Sequence, residues 1–224
     1  MSAVEQSAES ACKNVAETDD TAAHVIVIAL SAGGLVPVRR LLAHLPWNFP
    51  AAVVVAQHVR GITYLPAILK PTTQLDVKLA ESGDRLRCGH VYVSPPERHV
   101  VITPDARLQL VDRPRILHQP SADWLFESAA GSFAERTIAV ILSGRMSDGA
   151  RGALRIKRAG GYVFAQEPKT CRFPDMPIAA ILSGCVDAAL SPDDIGPALV
   201  DVLRPIEVSR GRGRWREPFA AESV

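Results

Sequence analysis

The stretch from His24 to Leu45 constrains the fold more than any other part of the chain. It opens with an apolar, largely β-branched run, Val25-Ile26-Val27-Ile28-Ala29-Leu30. The run is too short for a globular helix and reads as a buried strand. Leu35, Val38, Leu41, Leu42 and Leu45 then recur at helical spacing and predict a helix with one apolar face. Between the two lie Ser31-Ala32-Gly33-Gly34, where paired glycines permit a tight turn and close backbone approach. A serine there holds its hydroxyl beyond the sheet, beside the unpaired N–H groups of a helix start. Those donors and the helix dipole suit a bound phosphate or a developing oxyanion. The same serine also fits a plain helix cap. Strand–glycine–helix turns serve many α/β folds, so these residues alone leave both readings open.

The rest of the chain repeats that alternation. Ala51 to Ala56 and Thr137 to Leu142 are two further buried runs, and Asp76 to Ala80, His90 to Val93 and Tyr162 to Gln166 read as strands. Helices are expected over Tyr64–Leu69, from Ser121 (as cap) to about Ala134, up to Ala159, over Asp175–Leu182 and over Pro192–Leu203. His99–Thr103 and Arg107–Val111 flank Pro104-Asp105-Ala106 and read as a hairpin, so the sheet need not be wholly parallel. Cys185 to Leu190 reads as a short edge strand. Strands alternating with helices predict an α/β chain of Rossmann-like, three-layer α/β/α form with a mostly parallel sheet. One domain over residues 22–204 is expected, after a disordered leader over 1–21 and before a flexible tail over 205–224 in which Trp215 packs locally or on a partner.

Composition narrows the class. At 47% hydrophobic and 22% charged residues the chain is globular, and its net charge of +1 gives no pull toward nucleic acid or an anionic membrane. No apolar run approaches the roughly 20 residues of a membrane span, so no membrane insertion is expected. The N-terminus is acidic and polar, unlike a secretory signal. Cys12, Cys88, Cys171 and Cys185 are scattered without metal spacing, which fits a reducing cytoplasm and no metal site.

Three buried runs each end in a residue with catalytic capacity: Ser31, His58 and Asp148. Ligands of open α/β sheets bind outside the carboxyl ends of the strands. Brought together there, the imidazole would take the hydroxyl proton and the carboxylate would fix the imidazole's tautomer. The turns at Gly33-Gly34 and Gly144 to Gly149 could supply N–H donors for the oxyanion. Ser31 does not lie in a G-x-S-x-G elbow, so the spacing carries no short signature, and a nucleotide-binding crevice stays open beside the triad. Among other candidates, His24 and His90 read as strand boundaries, His44 as the polar side of a helix and His118 as surface. His99 reads as a strand start that could line a crevice, and Asp123 as a dipole-favoured helix start. Arg60, Arg98 and Arg172 are solvated charges or holders of a substrate carboxylate.

Taken in order, the segments Ala29-Leu30-Ser31-Ala32-Gly33-Gly34, Gln57-His58, Tyr92-Val93-Ser94-Pro95-Pro96 with His99, Gln119 to Ala130, Leu142 to Ala150, and Ala165-Gln166-Glu167 with Met176 to Ala180 resemble the catalytic domain of the chemotaxis CheB-type protein-glutamate methylesterases. The resemblance covers nearly all of residues 24–203. It implies a serine-hydrolase triad in which Ser31 matches the nucleophile, His58 the general base and Asp148 the orienting acid. Ala32, Gly33, Gly34, Arg145 and Met146, in the two turns beside them, are the candidate oxyanion and substrate-binding residues. The implied substrate is a glutamate γ-methyl ester on the cytoplasmic domain of a methyl-accepting chemoreceptor, yielding a carboxylate and methanol. The family also deamidates receptor glutamines. No cofactor or metal is implied, and the site of action is cytoplasmic.

The sequence departs from the family at three points. Ala32 stands where the family usually carries threonine, which removes a hydroxyl. Gly144-Arg145-Met146 stands where it usually reads Gly-Met-Gly. A backbone N–H of Arg145 can still serve an oxyanion, but a glycine is lost from the turn and a long cation is placed at the mouth. About 22 residues precede the first strand, too few for a receiver domain, so constitutive activity or a separate regulatory protein is expected. Two alternatives accompany the esterase reading: a catalytically weak or inactive module that docks on a receptor or partner, and the same chemistry on a different ester.

Overall fold

The computed structural model describes residues 21–59, 61–112 and 120–203. Nearly all of the expected leader, the expected tail, and Cys12, Arg60, His118 and Trp215 lie outside the described residues. The strands are β1 His24–Leu30, β2 Ala51–Gln57, β3 Asp76–Leu79, β4 His90–Val93, β5 His99–Ile102, β6 Leu108–Val111, β7 Thr137–Ile141, β8 Tyr162–Gln166 and β9 Ala188–Leu190. The helices are α1 Leu35–Ala43, α2 Leu65–Leu69, α3 Ala122–Phe133, α4 Ala150–Arg158, α5 Asp175–Leu182 and α6 Pro192–Leu203.

Seven strands form one sheet in the order β3-β4-β2-β1-β7-β8-β9, and every neighbouring pair is parallel. The chain runs outward from β1 through β2 to the edge strand β3, inserts β4 between β3 and β2, then crosses over to lay β7 on the other side of β1. That reversal makes the crevice beyond the carboxyl ends of β1 and β7 a topological switch point. The sheet is thus wholly parallel, where the sequence left room for a mixed one. β5 and β6 form the expected hairpin, but as a separate two-stranded sheet. The hairpin binds α3 instead: the Ile102 N–H donates to Ser128 Oγ at 3.0 Å, and Ser132 Oγ donates to the Ile102 carbonyl at 3.0 Å.

The β-branched runs are buried on both faces because alternate residues enter opposite layers. Val25, Val27 and Ala29 pack with Leu125, Phe126, Ile156 and Met176 under α3, α4 and α5. Ile26, Ile28 and Leu30 pack with Val38, Leu41, Leu42 and Leu199 under α1 and α6. Each fully buried aliphatic side chain contributes about 1.5–3 kcal/mol relative to exposure, so the two layers lock β1 at the centre of the molecule. Among the described residues, no helix is long and apolar enough to cross a membrane.

Candidate active site

The switch-point turn is built by close approach. Gly33 has φ +79°, and a Cβ on it would lie 2.7 Å from Ser143 Oγ and 2.8 Å from Arg172 Cβ. A Cβ on Gly34 would lie 2.7 Å from Leu30 Cβ. The two glycines therefore let the chain fold back over the end of β1 and start α1. Gly34 occupies the N-cap of α1, and no side chain caps that helix. The capping reading of Ser31 falls away, which leaves its hydroxyl free for other work. Ser31 Oγ makes no hydrogen bond to another described residue.

The strand register sets Ser31 between the other two segments. His58 N–H donates to the Leu30 carbonyl (3.1 Å), and Ser31 N–H donates to the Ser143 carbonyl (3.1 Å). On the far side, a Cβ on Gly144 would lie 2.9 Å from Ser31 Cβ. Asp148 comes from the loop that joins β7 to α4, and its Oδ2 lies 2.7 Å from His58 Nε2. A proton on Nε2, donated to that carboxylate, leaves Nδ1 as the basic nitrogen of the ring. The structure thus brings the ends of β1, β2 and β7 together as the sequence suggested, with the His58–Asp148 contact formed.

Asp148 is 6% exposed and saturated with donors. It accepts Ala122 N–H at 2.7 Å, Asp123 N–H at 3.1 Å and Ser121 O–H at 3.0 Å. Burial alone would raise its pKa, but the hydrogen bond to His58, the backbone N–H groups and the charge of His58 outweigh burial and hold the carboxyl below its ordinary range. A carboxylate so held is ionised at neutral pH and fixes the imidazole's orientation.

A second serine and a second histidine also gather around Asp148. Ser121 N–H donates to His99 Nδ1 at 3.1 Å, and the His99 ring packs on Trp124 with centroids 4.5 Å apart. Both residues are buried, with His99 at 0% exposure. The Ser121 hydroxyl donates to the carboxylate itself, and the imidazole receives a backbone N–H in place of a hydroxyl proton. This group braces Asp148 and the start of α3 and is not a second nucleophile–base pair. Ser121 occupies the N-cap of α3 as expected, yet its side chain does not cap; the Asp148 carboxylate does so from another segment.

Three further residues shape the site. Gln166 is fully buried, and its Oε1 accepts Ser143 N–H at 2.9 Å. Met176 packs so tightly on Gly144 that a Cβ there would overlap its sulfur. Phe173 accepts Gly144 N–H through its carbonyl at 2.9 Å and donates its own N–H to Ser143 Oγ at 3.1 Å. Gln166 carried a sequence signal, a polar residue ending an apolar strand; Phe173 carried none, because its role lies in its backbone. Cys171, next door, is no competing nucleophile: burial pushes its thiol up to about 11, so it is protonated at neutral pH.

Of the expected oxyanion residues, Ala32, Gly33 and Arg145 carry backbone N–H groups that bond to no other described residue. Met146 N–H lies 3.4 Å from Asp175 Oδ2. Met146, where the family usually carries glycine, adopts the left-handed φ of +70°. Arg98 pairs with Asp112 at 2.7 Å and so is committed elsewhere, whereas Arg172 flanks the site through its contact with Gly33.

Comparison with known proteins places the chain among relatives of one kind. The family model described as CheB methylesterase matches residues 26–199. A Pseudomonas putida protein named protein-glutamate methylesterase/protein-glutamine glutaminase is 34% identical over 181 residues, which is 79% of this chain and 48% of that one. A Leptospira interrogans relative is 35% identical over 178 residues, covering 78% of this chain and 92% of its own. The crystal structure of the Thermotoga maritima CheB methylesterase catalytic domain superposes with a TM-score of 0.77 at 33% identity, covering 80% of this chain and 98% of that one. The chain spans about half the length of several of the curated relatives it matches, the Pseudomonas putida and Photorhabdus laumondii proteins among them.

Proposed function

We propose that this chain, which belongs to the CheB methylesterase family, hydrolyses glutamate γ-methyl esters on the cytoplasmic domain of a chemoreceptor by a Ser31–His58–Asp148 mechanism. The observation that carries the reading is the 2.7 Å bond from His58 to an ionised, donor-saturated Asp148, one strand away from the free hydroxyl of Ser31.

Ser31 Oγ attacks the ester carbonyl while His58 Nδ1 takes its proton, and Asp148 steadies the imidazolium through Nε2–H. The tetrahedral oxyanion is received by the unpaired backbone N–H groups of Ala32, Gly33 and Arg145, near the N-terminus of α1. His58 then returns the proton to the departing methoxide, releasing methanol and leaving an acyl-serine. A water activated by the same imidazole hydrolyses that intermediate to the glutamate carboxylate. With a glutamine side chain the leaving group is ammonia, and the remaining steps are unchanged.

Ser31→Ala should abolish methanol release from a methylated receptor fragment while thermal unfolding stays close to that of the parent. Full activity in that variant would remove the mechanism. One observation favours a second reading, a docking module of the same fold: Ser31 Oγ makes no hydrogen bond to His58. Catalytic hydrogen bonds often tighten only with substrate bound. A fluorophosphonate probe separates the two, since an activated Ser31 labels covalently and an inert one does not.

A further inference from the structure

The groove of about 600 Å³ that leads away from the Gly33 turn is lined by Leu35, Val36, Arg40, Thr170, Arg172 and Asp193, among others. Its cations differ in their commitments. Arg40 bonds to Asp193 at 3.2 Å, so its charge is already answered. Arg172 makes no ion pair with a described carboxylate, and neither does Arg145 on the β7 side of the site. Both guanidinium groups instead lie over one ring: Arg145 Cζ is 4.5 Å and Arg172 Cζ 5.7 Å from the Phe173 centroid. An aromatic face draws a guanidinium by its charge and leaves the N–H edge free for a bidentate anion.

The ring that gathers them is fixed to the catalytic turn. Phe173 is hydrogen-bonded through its backbone to Gly144 and Ser143, and Arg172 Cβ abuts Gly33, two residues from Ser31. Two uncommitted cations are thus held by rigid backbone beside the turn that carries Ser31. Asp175, the first residue of α5, is the acidic neighbour, and its carboxylate faces Met146 N–H.

We propose that Arg145 and Arg172, gathered by Phe173, form a carboxylate-reading rim that selects esters lying one helical turn from an acidic residue of the substrate. Residues three or four apart on a helix are neighbours, so an acidic side chain at that spacing meets the rim when the ester meets Ser31. The proposal rests on the esterase reading above. Its test compares two methylated helical receptor fragments that carry glutamate or glutamine one turn from the methyl ester. The parent protein should show a kcat/KM on the order of tenfold higher for the glutamate fragment, chiefly through KM, with the advantage shrinking in salt. In the double variant Arg145→Met, Arg172→Ala the ratio of the two kcat/KM values should fall close to one. Arg172→Glu should invert the ratio for a fragment carrying lysine at that spacing. Equal hydrolysis of both fragments by the parent, or a ratio untouched in the double variant, overturns the rim and leaves the esterase standing. Hydrolysis of neither, with no fluorophosphonate labelling of Ser31, overturns both.

Discussion

Two residues of the Gly144–Asp148 loop show how single positions carry the site's geometry. Met146 holds φ +70°, a left-handed backbone that costs a side-chain-bearing residue about 1–2 kcal/mol. The glycine expected of the family would adopt it without strain, at the expense of greater freedom in the unfolded chain. Met146 is 49% exposed, so little packing offsets the strain. Met146→Gly should therefore stabilise the protein by about 0.5–1 kcal/mol, read as a higher urea midpoint with an unchanged slope. A lower midpoint would mean that the thioether packs better than its exposure suggests. Gly144 gives the opposite case. A methyl group there meets both the Met176 sulfur and Ser31 Cβ. Gly144→Ala should cost about 1–3 kcal/mol and lower turnover, since Ser31 lies on the displaced side; calorimetry and methanol release would be read together. The glycine-to-methionine change was visible in the sequence, but its consequence was not. Residue type names the strain only once φ is known.

At the scale of elements, α3 and α4 cap each other. Asp148, just ahead of α4, accepts the Ala122 and Asp123 N–H groups at the start of α3. Asp123, in the first turn of α3, accepts the Gly149 and Gly152 N–H groups at the start of α4, at 3.0 and 2.8 Å. The helices can approach this closely because residue 152 is glycine: a Cβ there would lie 2.5 Å from Phe126 Cβ. Removing the Asp123 carboxylate leaves two donors of a packed helix start without partners. Asp123→Ala should then cost about 1–3 kcal/mol by chemical denaturation and loosen the loop that carries Asp148. A loss no larger than that of an exposed aspartate would refute the reciprocal cap. The sequence marked Asp123 as a residue favoured by its own helix's dipole, and that reading holds only locally. The strands and helices were otherwise legible nearly to their ends, because β-branched runs, helical spacing and glycine stops are written in consecutive residues. The cross-cap joins residues 25 positions apart and has no periodic trace. The same holds for the independent hairpin: turn chemistry predicts the pairing of β5 with β6, whereas its docking on α3 depends on two serine hydroxyls of that helix.

Across the whole molecule, the site is assembled beside the central strand β1, where the chain passes from one half of the sheet to the other. Ser31, His58, Asp148, Gln166 and Phe173 come from segments spread over more than half the chain, and the buried central strands hold them in register. The three candidate residues were legible in the sequence, Ser31 and His58 each closing an apolar run and Asp148 in the polar loop that follows one. Their adjacency was not, because order within a sheet is set by crossovers and not by neighbours in the chain. Such a site cannot open without disturbing the core, so its ionisation is linked to global stability. The buried Asp148 and the half-buried Asp123 act with opposite sign. Asp148 is held below its ordinary 3.8: it contributes stability fully above that value and loses it as pH falls through its folded pKa. Asp123 is raised above 3.8: burial leads, and the charge of Asp148 adds to it against the Gly152 and Gly149 N–H groups. Its folded form binds the proton more tightly, so its contribution is present below 3.8 and lost as pH rises through its folded pKa. Asp123→Asn keeps an acceptor oxygen for both N–H groups and removes the charge. Measured by urea unfolding in steps from acid to neutral pH, Asp123→Asn should gain stability relative to the parent as pH rises from 3.8 through the folded pKa of Asp123, while Asp148→Asn should lose it as pH rises through the window below 3.8. Two curves that move in the same direction would show that the carboxylates are not held apart in the way their partners imply.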